Sequence, residues 1–257
     1  MTIAKAPKHW FYLPEIGSAN ETVVLTQDEA VHAAKVLRQK SGDMIGLIDG
    51  SGRLANAVIR EISGAGKKLL VTASVTAVWT VTPPQCKLHL YIALTKAKQM
   101  AQSLKQAVEL GVWEITPILC TYSVASTPAG TIKPHWQQDI VSAMKQSRNP
   151  FLPVLKPVTT FTEALQTAPA VGFFGDADDE ASSRRREEVP DCDRTAVWIG
   201  PEGGFSDAEK QLLKDRCHIP VKVAPWVLRV ETAVPATIGW LRGRGMVPEG
   251  GLEPPWP

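Results

Sequence analysis

Short runs in which apolar and polar residues alternate fill the first eighty positions, and this period of two predicts β-strands. Three of these runs are clear: 44–52, which closes in a glycine turn, 54–62 and 68–78. A helical pattern lies between Thr26 and Arg38, where Thr26 and Glu29 have the spacing of a capping box. One helix among several short strands is typical of a small antiparallel barrel.

A different pattern follows the segment 82–84, whose two prolines end strand pairing on both sides and mark a domain boundary. From there on, predicted strands and helices alternate. The strands are expected at 87–94, 115–119, 171–174, 196–200 and 221–224, and the helices at 99–110, 135–146 and 232–242. Such alternation predicts an α/β domain with a parallel sheet, whose ligand binds beyond the carboxyl ends of the strands.

Composition changes this picture little. With 257 residues, 44% of them hydrophobic and 21% charged, the chain can form two ordinary globular domains. Its net charge of +2 neither indicates nor excludes a basic patch for nucleic acid. The four cysteines stand singly, without a C-x-x-C pair, so we predict neither a metal site nor a disulfide framework.

The first residues of the chain and its hydropathy indicate a cytoplasmic protein without a membrane anchor. Residues 1–9 are polar and lack the apolar core of a signal peptide. No stretch approaches the roughly 18 uninterrupted apolar residues of a membrane span. From Gly243 onward glycine and proline dominate, so we predict a disordered tail over 244–257.

The most informative segment is 197–209, with the sequence VWIGPEGGFSDAE. A buried strand runs into a glycine-rich loop and then into a helix, with Ser206 as the predicted N-cap and Glu209 as its capping-box partner. The loop glycines permit positive φ and let a flat ligand approach bare backbone. The loop lacks the lysine and hydroxyl of a phosphate-binding loop and does not match G-x-G-x-x-G. Taken alone, it is equally compatible with a tight strand–helix turn.

A second segment, 223–233, also ends a predicted strand and starts a helix. Thr232 is the predicted N-cap of that helix, and Pro235 falls in its first turn. Arg229 and Glu231 lie where a parallel sheet would bring this loop to the end of the first one. Taken alone, their spacing is also that of a surface ion pair.

Together, these two segments resemble the RsmE-type family, the uridine-N3 methyltransferases of small-subunit ribosomal RNA within the SPOUT superfamily. Residues 199–206 match the family's cofactor loop, and 228–229 with 231–232 match its closing motif. The resemblance extends over nearly the whole chain. It includes His32, 36–38, 42–43 and 49–50 in the N-terminal part, and 109–112 and 116–117 after the boundary.

The resemblance implies a fold and an activity. The fold is an α/β SPOUT methyltransferase domain with a trefoil knot over 83–243, preceded by a PUA-like β-barrel over 1–82 that helps to hold RNA. The protein is expected to be a homodimer that takes a methyl group from S-adenosylmethionine. Its expected product is a uridine methylated at N3 in the 16S RNA of the small ribosomal subunit.

The resemblance also implies which residues form the site. Three loops are expected to hold the cofactor, through Phe174, Gly175, Ile199, Gly200, Glu202, Gly203, Gly204, Val223, Ala224, Val227, Leu228 and Thr232. Arg229 is the candidate for stabilising negative charge on the uracil, and Glu231 is the candidate general base. Arg148 is a candidate for orienting the nucleotide, and Arg38 is the RNA-binding candidate of the barrel. No metal is expected, because the sulfonium group is already activated.

Two uncertainties about these roles stay open at this point. Glu202 competes with Glu231 for the role of base, and either carboxylate could instead cap a helix or bind the cofactor. Several substrate-side positions also depart from the family's pattern, namely Gln99, Ala101, Lys145, Asn149, Ala224 and Trp226. The alternatives are therefore a non-catalytic RNA-binding relic of the same fold and, third, a small-molecule enzyme, for which the barrel has no evident purpose.

Overall fold

The computed structural model describes residues 7–124, 127–177 and 192–246, which fall into two compact units. The first unit contains the described residues up to Pro83 together with 144–152, and the second contains Pro84–Ala143 and the described residues from Pro153 onward. Most of the predicted disordered tail, from 247 on, lies outside the described residues. Its first residues, 244–246, belong instead to a π-helical segment over Arg242–Met246. No helix within the described ranges has the length and hydropathy needed to span a bilayer.

Five strands form the sheet of the first unit, in the order β1-β3-β4-β5-β2. They are β1 (Trp10–Tyr12), β2 (Thr22–Val24), β3 (Met44–Ile48), β4 (Arg53–Ser63) and β5 (Leu70–Thr80). The pairs are antiparallel except that of β1 with β3. Phe11, Ile45, Leu47 and Val71 are fully buried, so the alternation seen in the sequence builds a core on one face of the sheet.

The helix predicted between Thr26 and Arg38 is shorter and less regular than expected. It consists of α1 (Gln27–Val31) and a π-helical turn over His32–Val36. Thr26 is the N-cap, as predicted, and its hydroxyl accepts a hydrogen bond from the backbone N–H of Glu29 at 3.5 Å. The other half of the predicted capping box is wrong, because the Glu29 carboxylate bonds elsewhere.

The Glu29 carboxylate is bound by Lys145. The Lys145 ammonium donates to Glu29 Oε1 at 2.6 Å, and the backbone N–H of Tyr12 donates to the same oxygen at 3.4 Å. Both side chains of the ion pair are largely buried, with 16% and 7% of their surfaces exposed. A cation in this setting competes better for the carboxylate than a helix terminus does. Lys145, which departs from the family's pattern, therefore belongs to a buried ion pair within the first unit.

Residues 144–152 cluster with the first unit, whereas the boundary predicted at residue 82 assigns them to the second domain. The backbone N–H of Leu152 donates to Gly50 O at 2.8 Å, and that of Gly52 donates to Pro150 O at 3.0 Å. A Cβ atom added at Gly50 would lie 2.8 Å from the Leu152 side chain, and one added at Gly52 would lie 2.8 Å from the Phe151 ring. Glycine in this turn is therefore needed for the close approach as well as for positive φ.

Lys145→Met should destabilise the first unit by about 1–3 kcal/mol, because it leaves the buried Glu29 carboxylate without its cation. Adding Glu29→Gln should recover much of this loss, since both charges are then gone. Urea denaturation of the variants measures the free energies of unfolding. Lys105→Met is the matched control, because the Lys105–Asp139 pair has a lysine that is 44% exposed and should contribute under about 1 kcal/mol. Equal stability of Lys145→Met and wild type would contradict the interpretation.

A parallel sheet forms the second unit, as predicted. Its strands are β6 (Lys87–Ala93), β7 (Glu114–Leu119), β8 (Val154–Leu155), β9 (Thr159–Thr160), β10 (Val171–Gly175), β11 (Arg194–Ile199) and β12 (Ile219–Val221). The order is β12-β10-β11-β6-β7-β8, with β9 also beside β7, and these pairs are all parallel. The carboxyl ends of the strands therefore meet at one edge, where α/β sheets bind ligands.

Five α-helices accompany these strands in the described ranges. They are α2 (Ala97–Glu109), α3 (Pro134–Ser147), α4 (Phe161–Thr167), α5 (Asp207–Asp215) and α6 (Val230–Leu241). The predictions for α2 and α3 are confirmed to within a few residues. The sequence interpretation missed α4, which is too short for a helical period to stand out, although Thr160 and Glu163 form a complete capping box at its start.

The strand predicted at 221–224 is wrong in its position, since β12 ends at Val221. β12 is an edge strand whose only neighbour in the described sheet is β10, and Val221 pairs with Gly175, the last residue of β10. Pairing stops where the neighbouring strand stops. The residues that follow therefore form a loop at the carboxyl edge of the sheet.

The predicted N-cap at Thr232 is also wrong. α6 begins at Val230 with Arg229 in the N-cap position, and the backbone N–H of Thr232 donates to Arg229 O at 2.9 Å. Val230 and Val234, one turn apart, are both buried. Their packing favours a helix that begins at Val230, before the position that the capping signal at Thr232 predicts. Pro235 consequently lies inside the helix instead of in its first turn.

An aromatic cluster anchors β11, the strand that precedes the glycine-rich loop. Trp198 is fully buried and stacks on Tyr91 with ring centroids 4.1 Å apart. Phe161 packs between Trp198 and Phe205, at centroid distances of 5.5 and 5.8 Å. Because Phe205 lies at the far end of the loop, both ends of the loop are fixed in the core.

Candidate functional site

Three neighbouring strands, β12, β10 and β11, bring their loops together at the carboxyl edge of the second sheet. Most residues of the segments 175–177, 199–204 and 221–228 line a cavity of about 120 Å³. The first part of α6 contributes Val230, Ala233 and Thr237. This is the ligand-binding edge that the alternation of strands and helices predicts.

The glycine-rich loop after β11 has a defined conformation. The backbone N–H of Gly204 donates to Pro201 O at 2.8 Å, and Gly204 has a φ of +75°. The predicted capping box of α5 is confirmed: Ser206 Oγ accepts from the N–H of Glu209, and the Ser206 N–H donates to Glu209 Oε2 at 2.8 Å. The loop therefore enters α5 through a fully satisfied cap.

A buried ion pair stands at the loop after β10. The Lys210 ammonium, on α5, donates to Asp176 Oδ1 at 2.9 Å, and the two side chains are 18% and 5% exposed. The backbone N–H of Asp176 donates to Val221 O at 3.0 Å, which ties this loop to β12. Asp176 is thus a charged residue held in place in the cavity wall.

The loop after β12 is open to solvent at its tip. Trp226 and Val227 are 80% and 77% exposed, although both also line the cavity. Pro225 lies between Ala224 and Trp226 and is exposed as well. A large exposed apolar surface at the mouth of a pocket is characteristic of a binding site.

Most of the predicted cofactor residues line the cavity. These are Gly175, Ile199, Gly200, Glu202, Gly204, Val223, Ala224, Val227 and Leu228. Three others do not: Phe174 is fully buried in the aromatic core, Gly203 faces Tyr122, and Thr232 is exposed on α6. Thr232 was included because it belongs to the closing motif of the family that the chain resembles.

Several cavity residues were missed by the sequence interpretation. They are Asp176, Ala177, Val221, Lys222, Val230, Ala233 and Thr237. The sequence contains a signal for the three on α6, because positions 230, 233 and 237 have the i, i+3, i+7 spacing of a single helix face. Asp176 directly follows Gly175, but nothing in the sequence alone pairs it with Lys210.

The cavity has two properties that suit an extended ligand with polar groups. Thr237 is 1% exposed, and its hydroxyl has no hydrogen-bond partner among the described residues, a costly arrangement unless a ligand supplies the bond. Cβ atoms built on Gly175 and Gly204 would meet no other heavy atom within 4 Å. Glycines at these two positions keep space open beside bare backbone.

Arg229 and Glu231 lie next to the cavity in the chain, between and beside the lining residues Leu228, Val230 and Ala233. The Arg229 side chain is exposed and its backbone carbonyl begins α6. Glu231 is half-buried, and its Oε2 is buried without a hydrogen-bond partner in the described part of the chain. The structure does not place these two side chains in a mutual ion pair.

The other two candidate arginines belong to the first unit. Arg38 and Arg148 are both exposed, and both have left-handed backbone conformations, with φ of 54° and 58°. The Arg148 guanidinium lies 5.9 Å from the ring centroid of Trp10. Nearby, Asn149 has a local role, because its Oδ1 accepts a hydrogen bond from the backbone N–H of Phe151 at 3.0 Å.

Two of the four cysteines, which the sequence interpretation treated as isolated, lie side by side. The sulfur atoms of Cys86 and Cys192 are 3.5 Å apart, and Thr195 Oγ1 lies within 3.4 Å of each. Burial raises the pKa of the Cys86 thiol to about 11, so this thiol stays protonated at neutral pH. Within the described ranges, no three His, Cys, Asp or Glu side chains gather as a metal site requires.

Comparison with known families gives two matches. The model of an RNA methyltransferase domain matches residues 82–242, and that of an RNA methyltransferase PUA domain matches residues 25–71. The first match includes all three loops of the cavity. The second covers α1, the π-helical turn and the strands β3 and β4.

Known proteins show the same similarity along most of the chain. Ribosomal RNA small subunit methyltransferase E of Aquifex aeolicus is 28% identical over 239 residues, which cover 91% of this chain and 98% of the relative. The Mycobacterium bovis protein of that name is 26% identical, covering 89% of each. The crystal structure of the Neisseria gonorrhoeae protein of that name, bound to S-adenosylmethionine, superposes with a TM-score of 0.79 at 26% identity, covering 91% of this chain and 97% of that one.

Proposed function

Because the chain belongs to the RsmE-type family of RNA methyltransferases, we propose that it methylates small-subunit ribosomal RNA at N3 of a uridine, with S-adenosylmethionine as the methyl donor. The observation that carries this proposal is the cavity of the second unit. Three loops surround it, two of which contain glycine, and a buried hydroxyl without a hydrogen-bond partner among the described residues lies in its wall, which suits a nucleoside cofactor better than a small inorganic ligand.

The residues of the cavity fit this cofactor. The bare backbone at Gly175 and Gly204 would accept its flat parts, and the Thr237 hydroxyl would hydrogen-bond one of its polar atoms. Residues 223–228 would cover it from the third side. When bound, S-adenosylmethionine supplies an activated methyl group on its sulfonium.

In the proposed mechanism, Arg229 stabilises the uracil anion. Loss of the N3 proton spreads negative charge over the neighbouring carbonyl oxygens, and a guanidinium directed at one of them favours this form. The exposed Arg229 side chain at the start of α6 is accessible to a nucleotide beside the cavity.

Glu231 is the proposed general base. Its Oε2 lacks a hydrogen-bond partner among the described residues, so an oxygen remains to accept the N3 proton. Glu202 stays the rival, because it is exposed and lines the cavity. Neither carboxylate caps a described helix. Arg229 is the N-cap of α6, and Ser206 with Glu209 forms the capping box at the start of α5.

We propose that the first unit holds RNA through Arg38 and Arg148. Affinity for small ribosomal subunits should then fall steeply with salt, and replacing either arginine by alanine should reduce the slope of log K against log salt by about 1. Filter binding at several salt concentrations measures this slope. Lys214→Ala, an exposed cation on α5, is the control and should leave the slope unchanged. Salt-independent binding, or none, would favour the small-molecule enzyme.

The finer features of the proposal follow from the family resemblance. They are a trefoil knot within an α/β methyltransferase domain at 83–243, an RNA-binding barrel at 1–82, a homodimer and a cytoplasmic location. The exposed Trp226 and Val227 side chains support the dimer, because they offer apolar surface that a second copy could cover. Light scattering should give a mass twice the 27.9 kDa of the chain.

A second candidate function is an RNA-binding relic that no longer transfers methyl groups. It is favoured by the altered substrate side, where Lys145 and Asn149 have local structural bonds instead. Retention of Arg229 and Glu231 counts against it. Deleting the gene and analysing the 16S RNA by nucleoside mass spectrometry separates the two, because only an enzyme's loss removes 3-methyluridine. Restoring the gene should restore the modified nucleoside.

A further inference from the structure

The neighbouring thiols of Cys86 and Cys192 have no role in the proposed function. Cys86 directly precedes β6, and Cys192 lies two residues before β11. These two strands are paired in parallel, so both thiols lie at the amino ends of their strands. The cavity is lined by residues at and beyond the carboxyl end of β11. The two thiols therefore form a separate feature at the opposite edge of the second sheet.

Contacts on both strands hold the two sulfur atoms together. The backbone N–H of Lys87 donates to Asp193 O at 2.8 Å, so the residues that directly follow the two cysteines are hydrogen-bonded to each other. The Thr195 side chain is fully buried, and its Oγ1 lies 3.4 Å from Cys86 Sγ and 3.0 Å from Cys192 Sγ. The distance of 3.5 Å between the two sulfur atoms is thus set by the pairing of the strands and by one shared hydroxyl.

This geometry is close to that of a disulfide. The sulfur atoms would have to approach by only about 1.5 Å to reach the bond length of about 2.05 Å, and rotation of the two side chains can supply this movement. Both cysteines are partly exposed, so a small oxidant can reach them. Burial raises the pKa of Cys86 to about 11, and the attacking species is a thiolate. Oxidation is therefore expected to begin at Cys192.

We propose that Cys86 and Cys192 are a site of reversible oxidation, which a low-molecular-weight disulfide converts to a disulfide between the two strands. The Cys192 thiolate displaces one thiolate from the oxidant and forms a mixed disulfide. Cys86 then gives up its proton, and its sulfur displaces the second thiolate from Cys192. The S–S bond of the oxidant is broken and that of the protein is formed. The two protons of the cysteines end on the two small thiols that are released.

Peptide mapping of the full chain tests this assignment, because each cysteine falls on its own tryptic peptide, Cys86 on 69–87 and Cys192 on 187–194. The native protein would be treated with oxidised glutathione, alkylated and digested without reduction. The two peptides should be found joined, in at least about tenfold excess over their adducts with glutathione, because thiols held side by side react within the molecule. Treatment with dithiothreitol should restore both thiols.

Three controls make the result decisive. Cys217→Ser removes an exposed cysteine outside the pair and should keep the link, whereas Cys86→Ser should leave Cys192 as its adduct with glutathione. Wild type unfolded in guanidinium before oxidation should lose the preference for this pairing, and this control serves if Cys86→Ser does not fold. Native wild type in which Cys86 and Cys192 stay unreacted, or carry glutathione separately, overturns the assignment. That result would leave the proposed function untouched, because no step of the test involves methyl transfer.

Discussion

Gly175→Val is expected to weaken binding of S-adenosylmethionine and S-adenosylhomocysteine by at least about tenfold while leaving the fold intact. Gly175 lines the cavity at the end of β10, and an added Cβ would meet no other heavy atom within 4 Å. The Cβ of the valine therefore meets no other part of the protein, and the side chain occupies space that the ligand requires. Overlap of this kind costs about 1–3 kcal/mol or more, a tenfold to over a hundredfold loss of affinity. Calorimetry measures it.

Gly175 is a sharper test than Gly204, because Gly204 has a φ of +75° and any side chain there also strains the backbone. Gly239→Ala is the matched control: Gly239 is exposed on α6, and a Cβ there also meets open space, but it does not line the cavity. This variant should bind normally and unfold at or above the wild-type temperature. Normal binding by Gly175→Val would mean that the cofactor lies elsewhere.

Arg229→Ala should lower the rate of methyl transfer by on the order of 10²–10³-fold, or about 3–4 kcal/mol, with little change in cofactor affinity. The reason is that Arg229 stabilises charge that develops only as the uracil loses its proton. Single-turnover transfer from labelled S-adenosylmethionine measures the rate, and calorimetry measures the affinity. A parallel loss of affinity would make Arg229 a cofactor-binding residue instead.

Glu231→Gln serves as the companion variant in that experiment. It keeps the size of the side chain and an acceptor at the half-buried position, so the fold should be retained, but an amide cannot take the proton. Turnover should be lost if Glu231 is the base and kept if its role is structural, in which case Glu202→Gln becomes the variant to test. Full activity of both the Arg229 and the Glu231 variant would remove these residues from the mechanism.

Local signals predicted much of the second unit correctly. A strand leading into a glycine-rich loop and a serine with glutamate three residues on was enough to predict β11, the loop and α5. These features depend on neighbours in the chain: Gly204 needs its positive φ, and Ser206 bonds Glu209 within one helical turn. The parallel sheet likewise follows from alternating strands and helices, because only crossover connections allow parallel pairing.

The predictions that failed depend on partners distant in sequence. Glu29 leaves its capping box for Lys145, β12 ends where β10 ends, and α6 begins where Val230 becomes buried. No local pattern reports these contacts. For the same reason the pairing of Asp176 with Lys210, on two separate elements, could not be predicted from the sequence.

Methyl transfer to ribosomal particles tests the central claim most directly. Small subunits from a strain lacking 3-methyluridine in its 16S RNA would be incubated with the protein and labelled S-adenosylmethionine, and the RNA then digested for nucleoside mass spectrometry. The proposed function predicts about one labelled 3-methyluridine per subunit with wild type and almost none with Arg229→Ala. A wild-type protein that binds cofactor and subunits yet transfers no label to RNA would contradict it and identify the chain as a relic.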